Sequence, residues 1–399
     1  MNKLRLGFFV LVSIGLTAVL LVWQSGKRPL ALENAVIMPT TTLTATMLPT
    51  KTYTPSPTQT ETAVSTTIPP TETPQPTATM LPTPSPTPTA QPTMQPTAVI
   101  DRTCPDPAPL KPQYIRNYLP AKEWARPETA VAEPHFIMSK PLTGGGRLLI
   151  NKWFPYGWDA NGRYLLHNGV DVAEGMGTAV IAVADGTIVT AQDDYTELYG
   201  WRCDWYGHLV VLELDEQWQG QPIYAVYGHV LELKVDAGDR VETGDELAQV
   251  GFGGAATAPH LHFEVRVGEN AFDATQNPML WIDPGATRGV IVGRLVDPNG
   301  WPWQGVELVL TEKETGHEAL TTWSYLEDPT GRGSVNPDAG WAENFVFADI
   351  RPGEYEIEVE VQEVTYRADV TVTERGVSVV EFVTEPFKEM MPENDNSGD

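Results

Sequence analysis

A tract rich in Thr and Pro, covering about residues 38–100, sets the first limit on what this 399-residue chain can fold into. It carries almost no charge and repeats short units such as Pro82-Thr83-Pro84. Such a composition cannot bury enough apolar surface to offset the entropy lost on ordering, so we predict a disordered linker. In the polyproline II conformation, at ~3.1 Å per residue, about sixty residues would reach on the order of 150–200 Å.

An apolar run precedes this linker. Lys3 and Arg5 come just before the run from Gly7 to Trp23, whose 17 residues are at the lower limit for crossing a bilayer. No small-x-small cleavage site follows closely, so we predict an uncleaved transmembrane signal anchor, with a cleaved export signal as the alternative. The basic residues place the N-terminus in the cytoplasm and the bulk of the chain outside. The predicted location is therefore the cell membrane, single-pass, or secretion if the signal is cleaved.

Charge and cysteine content narrow the possible partners. With 26 basic and 52 acidic side chains the net charge is −26, which argues against nucleic acid because its binding needs basic patches. Two cysteines are too few for a disulfide-built scaffold or a cysteine-ligated zinc site. In the oxidising compartment predicted here, Cys104 and Cys203 are a candidate disulfide that would clamp the end of the linker to the next domain.

Beyond the linker the sequence is typical of an all-β protein. Short apolar runs, such as Ala179-Val180-Ile181-Ala182-Val183, lie between Gly and Asp turns, and no convincing amphipathic helix is present. We therefore predict a mostly antiparallel sheet or sandwich.

Four of the seven histidines lie in three short motifs, which are His167-Asn168-Gly169-Val170-Asp171, Tyr227-Gly228-His229 and Pro259-His260-Leu261-His262-Phe263-Glu264-Val265. As a strand, the third motif places His260, His262, Glu264 and Arg266 on one face and only apolar residues on the other. The apolar face is expected to pack on the core, and the polar face to line a groove.

The first motif adds a nitrogen and a carboxylate oxygen to these imidazoles. Gly169 is expected to let its loop bend so that His167 and Asp171 both point inward. Two imidazoles and one carboxylate leave a fourth tetrahedral position for water, which is the arrangement of catalytic zinc. Each motif alone is more often a packing or surface feature, but their occurrence together in one β-rich segment favours a metal site.

These motifs, in this order, resemble the lysostaphin/LytM-type zinc endopeptidases of bacterial cell walls. The resemblance runs over about residues 136–284 and also includes Ala182-Val183-Ala184-Asp185-Gly186 and Tyr206-Gly207-His208. It implies that His167, Asp171 and His262 bind one Zn²⁺ per chain, and that His229 and His260 are catalytic residues that flank the water on the metal. The resemblance implies hydrolysis of the peptide cross-links of peptidoglycan. Because some relatives have lost these residues, the alternative is a catalytically silent wall-binding or amidase-activating module on the same fold.

Other residues of this segment have open roles. An insertion over residues 193–206 is rich in aromatic residues and could form a rim of the groove or a cap over the core. Tyr164 could hydrogen-bond the transition state or simply pack. His208 is expected at a strand end, and His135 and His317 lie outside every motif and are assigned no role.

The C-terminal part is again β-rich. Strict alternation, as in Tyr355-Glu356-Ile357-Glu358-Val359, and about seven strands in a hundred residues suit an Ig-like sandwich. Residues 293–310 and 349–355 resemble carboxypeptidase regulatory-like (transthyretin-like) domains. The C-terminal domain could be a spacer, or it could bind wall polymer or another protein. A third interpretation of the whole chain is a purely structural adhesin in which this domain is the working part.

The sequence thus predicts five parts and leaves the oligomeric state open. In chain order they are a signal anchor (1–30), a Pro/Thr linker (31–100), a zinc metallopeptidase domain (101–284), a β-sandwich (285–386) and an acidic tail (387–399).

Overall fold

The computed structural model describes residues 99–106, 133–148, 154–328 and 335–387. The predicted signal anchor, nearly all of the predicted linker and nearly all of the acidic tail lie outside these residues. Within the described ranges, no helix has the length and apolar character needed to cross a bilayer.

The described residues form seventeen strands and two short 3-10 helices, and they contain no α-helix, which confirms the all-β prediction. The first ten strands are β1 Arg147–Leu148, β2 Val170–Ala173, β3 Ala179–Ile181, β4 Gly186–Asp193, β5 His208–Trp218, β6 Gln221–Leu231, β7 Arg240–Val241, β8 Glu246–Val250, β9 Leu261–Val267 and β10 Thr275–Gln276. The other seven are β11 Gly289–Val296, β12 Glu307–Glu312, β13 Glu318–Trp323, β14 Phe345–Ile350, β15 Gly353–Val361, β16 Val364–Val372 and β17 Val377–Val383. The 3-10 helices are Phe272–Ala274 and Pro278–Leu280.

Strands β1 to β10 form one antiparallel sheet, whose main path is β1-β2-β9-β6-β5-β4-β7. β10 pairs with β9, and β8 connects β6 to β3. The register sets Asp171 of β2 opposite His262 of β9, and His262 opposite Gly228 of β6. Three motifs that are far apart in sequence therefore meet on adjacent strands.

The two faces of this sheet are covered differently. Because side chains alternate along a strand, Val210 and Leu212 of β5 point into the main core, whereas Leu209 and Val211 point the other way. The insertion over residues 193–206 covers that second face with aromatic side chains, since Tyr199, Trp201 and Tyr206 are buried. The insertion is thus a cap, and Tyr195 is its one exposed large apolar side chain.

The chain before the first sheet is fixed to this cap. Cys104 and Cys203 are joined in a disulfide. Two residues earlier, the Arg102 guanidinium donates hydrogen bonds to the carbonyl oxygens of Leu198 (3.0 Å) and Asn270 (2.7 Å). The same guanidinium lies 4.0 Å from the centre of the Tyr199 ring, a cation–π contact.

Strands β11 to β17 form the predicted seven-stranded sandwich. One layer has the order β14-β11-β17 and the other β13-β12-β15-β16, and β11 and β17 are parallel. In the Ig constant-type order the first strand shares a sheet with the second, fourth and fifth. Here the first strand pairs with the fourth and seventh, so the architecture is Ig-like but the topology is not.

The sandwich shares apolar packing with the first sheet. Every residue of β11 is buried: Ile291 and Leu295 face the core of the sandwich, whereas Val290 and Val292 face the main core of the first sheet. A continuous apolar run such as Val290-Ile291-Val292 is typical of a strand covered on both faces. This packing does not fit a spacer that is separate from the first sheet.

Candidate metal centre

Two imidazoles and one carboxylate converge at the end of β2 and β9. His167 Nε2 and His262 Nδ1 lie 3.2 and 3.0 Å from Asp171 Oδ1, and the two nitrogens lie 3.4 Å from each other. In a tetrahedral site with metal bonds of about 2.0–2.1 Å, ligand atoms are about 3.3–3.4 Å apart. These three side chains therefore fit a zinc ion in both donor type and spacing.

The second ring nitrogen of each imidazole is held by a fixed acceptor. His167 Nδ1 lies 2.8 Å from the carbonyl oxygen of Phe154, and a carbonyl oxygen can only accept, so Nδ1 carries the hydrogen. His262 Nε2 lies 3.1 Å from Glu264 Oε1 and donates to it. Each ring thus directs its other nitrogen towards Asp171, which is how outer partners orient metal-ligating histidines.

His260 and His229 lie at the edge of this cluster. His260 Nδ1 donates to the carbonyl oxygen of Ala258 (2.7 Å), and its Nε2 is 3.4 Å from Asp171 Oδ1. His229 Nδ1 is 3.2 Å from the carbonyl oxygen of Tyr206, and the two imidazole centres are 4.9 Å apart. His229 has a φ of 60°, a left-handed conformation that is uncommon outside glycine and recurs at functional sites.

Burial and neighbouring charges give these histidines different proton affinities. Burial, together with repulsion from His262 and His260, lowers the pKa of His229 to about 3, so it is neutral at neutral pH. Burial opposes protonation of His262, but its hydrogen bonds to Asp171 and Glu264 outweigh burial and raise its pKa to about 9. Burial would also raise the pKa of Asp171, but the adjacent His167 holds it well below its usual range. A metal ion at His262 Nδ1 would compete with the proton there.

A buried ion pair between Glu264 and Arg266, which the sequence motifs did not predict, stands behind His262. Arg266 donates to Glu264 Oε2 through Nη2 (2.7 Å) and Nε (2.9 Å), and both side chains are fully buried. Glu264 Oε1 accepts from Asn168 Nδ2 (2.6 Å) and from the Tyr206 hydroxyl. Burial would raise the pKa of Glu264, but the charge of Arg266 outweighs it and lowers the pKa to about 2. The carboxylate that orients His262 is therefore ionised.

Two expectations from the sequence are corrected here. The polar face of β9 was expected to line a groove as far as Arg266, but the aromatic cap buries Glu264 and Arg266, so neither side chain can line an open groove. Gly169 was expected to let a loop bend, yet its φ is not in the left-handed region. A Cβ there would lie 2.5 Å from the carbonyl oxygen of Phe263 and 2.8 Å from His262 Nε2, so glycine allows close packing of β2 on β9.

Other candidate residues have different positions. Phe154 stacks on the His167 ring, with ring centres 3.9 Å apart. Tyr164 meets Phe154 edge-on at 5.1 Å and is 38% exposed, so Tyr164 lies at the solvent-exposed edge of the metal centre. His208 begins β5, next to Tyr195. His135 is buried 3.5 Å from Asp338, and His317 is exposed between β12 and β13, so neither belongs to the cluster.

Replacing Glu264 with Gln is expected to lower the free energy of unfolding by about 3–5 kcal/mol, because Arg266 would keep a buried charge without its partner. Asp215→Asn is the matched control. Asp215 also accepts two hydrogen bonds from an arginine, Arg240, but both side chains are exposed, and such pairs contribute about 0–1 kcal/mol. Urea unfolding measures both. Equal, small losses in the two variants would contradict the buried-pair interpretation.

Comparison with known proteins identifies the segment that holds this cluster. Residues 165–274 match the family model described as "Peptidase family M23". This segment is an M23 peptidase domain. The M23 domain contains all five residues of the centre, namely His167, Asp171, His229, His260 and His262.

Several named proteins are similar to part of this chain. The chain is 33% identical over 129 residues to the glycyl-glycine endopeptidase ALE-1 of Staphylococcus capitis, covering 31% of each protein. It is 30% identical over 113 residues to the peptidoglycan DD-endopeptidase ShyB of Vibrio cholerae, covering 28% of this chain and 23% of ShyB. The solved catalytic domain of lysostaphin from Staphylococcus simulans is 28% identical, with 34% of this chain and 91% of that domain covered and a TM-score of 0.28. This chain thus spans less than a third of the length of ALE-1 or ShyB.

Proposed function

We propose that this protein is a zinc endopeptidase that hydrolyses the peptide cross-links of peptidoglycan. The observation that carries the proposal is the convergence of His167, Asp171 and His262, each with one potential ligand atom aimed at the same point. The peptide substrate rests on the M23 relatives, whose names specify glycyl-glycine and peptidoglycan endopeptidase activity.

The residues around the cluster supply the proton transfers that peptide hydrolysis needs. A zinc ion bound by the three donors would polarise the scissile carbonyl and lower the pKa of a water molecule. His229 and His260 each donate Nδ1–H to a backbone carbonyl, so in the neutral imidazole Nε2 is the nitrogen that can accept a proton from the attacking water. His260 Nε2 also lies 3.4 Å from Asp171 Oδ1. The same histidine, once protonated, can deliver that proton to the leaving amine. The low pKa of His229 keeps it in the accepting form before the reaction.

We further propose that the protein acts outside the cytoplasm, anchored in the membrane. The basic residues Lys3 and Arg5 before an apolar run of 17 residues support this location, and the disulfide between Cys104 and Cys203 fits an oxidising compartment. The Pro/Thr-rich tract would then give the M23 domain its reach into the wall.

The test is digestion of purified peptidoglycan sacculi by the full chain. We expect about one zinc per chain by elemental analysis and conversion of cross-linked dimeric muropeptides into monomers by mass spectrometry. Treatment with a chelator should stop the conversion, and added zinc should restore it. A chain that carries its metal and binds sacculi but leaves the dimers intact would overturn the proposal in favour of a wall-binding module.

A further inference from the structure

The metal ligand His167 is held by a loop formed by residues 154–166. Gly157 N donates to the His167 carbonyl oxygen (2.8 Å), and His167 N donates to the Trp158 carbonyl oxygen (3.0 Å), so the two arms of the loop pair next to the ligand. The same loop supplies the Phe154 carbonyl oxygen, which accepts the hydrogen of His167 Nδ1. The position and the tautomer of His167 therefore both depend on where this loop lies.

The loop itself packs on the C-terminal sandwich. Leu326 N, just beyond β13, donates to the Gly157 carbonyl oxygen at 2.9 Å. The indole of Trp158 stacks on that of Trp323, with centres 4.9 Å apart and planes 7° from parallel. The Tyr156 hydroxyl accepts a hydrogen bond from Asn336 N (2.9 Å).

Apolar burial strengthens this attachment. Tyr156, Trp158 and Leu166 of the loop form one buried cluster with three residues of the sandwich, which are Tyr325, Leu326 and Val335. The cluster is separate from the main core of the first sheet. The loop therefore takes its apolar support from the sandwich rather than from the strands of the M23 domain.

Gly157 is the point of closest approach. Its φ is +76°, and a Cβ at this position would lie 2.6 Å from Cδ1 and 2.8 Å from Cγ of Tyr325. Any side chain here would push the loop away from the sandwich, and with it the backbone groups that hold His167.

We propose that the C-terminal sandwich is a structural part of the metal centre, in which Trp323, Tyr325 and Leu326 are positioning residues for His167. The sandwich thereby keeps Nε2 of His167 aimed at the point that Asp171 and His262 also face. This inference rests on the metal site of the proposed function but not on its substrate.

The main test is the zinc affinity of full-length Gly157→Ala, measured by competition with a chromogenic chelator. We expect a loss of about 10–100-fold, the size found when outer partners of metal ligands are changed. Gly316→Ala is the matched control, because Gly316 also has a positive φ (+69°) but no atom within 4 Å of the added Cβ. The control should bind zinc as the wild type does. The absorption bands of bound Co²⁺ should change only in the Gly157 variant, since they report ligand geometry.

A second variant, Trp323→Ala, changes only the sandwich side and touches none of the three ligands. We expect it to lower zinc affinity about tenfold. If Gly157→Ala does not fold, the zinc affinity of Trp323→Ala decides whether the sandwich positions His167. If both variants fold, bind zinc with the wild-type affinity and give the wild-type Co²⁺ spectrum, the inference is wrong and the proposed function is unaffected. A wild-type chain without zinc affinity would instead overturn the proposed function.

Discussion

Replacing His262 with Ala is expected to remove bound zinc and to lower the rate of cross-link cleavage by about 10³-fold or more. The variant leaves two of three protein ligands, and it removes the several kcal/mol of transition-state stabilisation that a metal supplies. Glu264 keeps its ion pair with Arg266, so the buried charge behind the site stays compensated and the fold should persist. Zinc content and the conversion of dimeric muropeptides measure the two effects.

His317→Ala is the control for this experiment, because His317 is an exposed imidazole far along the chain from the cluster. It should retain both zinc and activity. A His262→Ala protein that still binds one zinc and cleaves at the wild-type rate would show that the three-residue site is not the reacting centre.

Replacing His229 with Ala is expected to keep zinc bound but to lower kcat by about 10²–10⁴-fold, the usual contribution of a general acid or base. His229 is not one of the three donors, so metal binding does not need it. Its imidazole is neutral and has one nitrogen with a lone pair that can accept a proton, which alanine lacks. Zinc content and kcat at saturating zinc should be measured together.

His260→Ala provides the comparison, because the Nδ1–H of His260 also donates to a backbone carbonyl, which leaves Nε2 as its proton-accepting nitrogen. A larger loss of kcat in one variant assigns the main proton transfer to that residue. Loss of zinc from His229→Ala would contradict the separation of binding and catalytic roles and would make His229 a ligand.

Much of the site could be predicted from local patterns. The alternation around His262 predicts a strand with one apolar face, and β9 has that form. The residue types in the three motifs predict convergence on a metal, and the antiparallel register of β2, β9 and β6 brings the motifs together. Sequence alone does not give that register, because it depends on pairing between strands about ninety residues apart along the chain.

The parts that sequence missed depend on long-range packing. Burial of Glu264 and Arg266 follows from the aromatic cap, whose sequence has no periodicity that shows which face it covers. The support of His167 by the sandwich depends on single contacts, such as Trp158 on Trp323, between segments about 165 residues apart. The sequence did contain a signal for the ion pair. Glu264 and Arg266 are two and four residues after His262 and so lie on the same face of the strand, where a carboxylate and a guanidinium can bond each other.

The burial of β11 on both faces bears on whether the M23 domain can be moved into another protein. Val290 and Val292 cover apolar side chains of the first sheet, so a chain ended at residue 274, where the family match ends, would expose that surface to water. Exposed apolar patches of this kind favour aggregation. The M23 domain of this chain is therefore not expected to stay soluble when it is expressed alone. A fusion or a recombined protein that contains the M23 domain must also contain the sandwich.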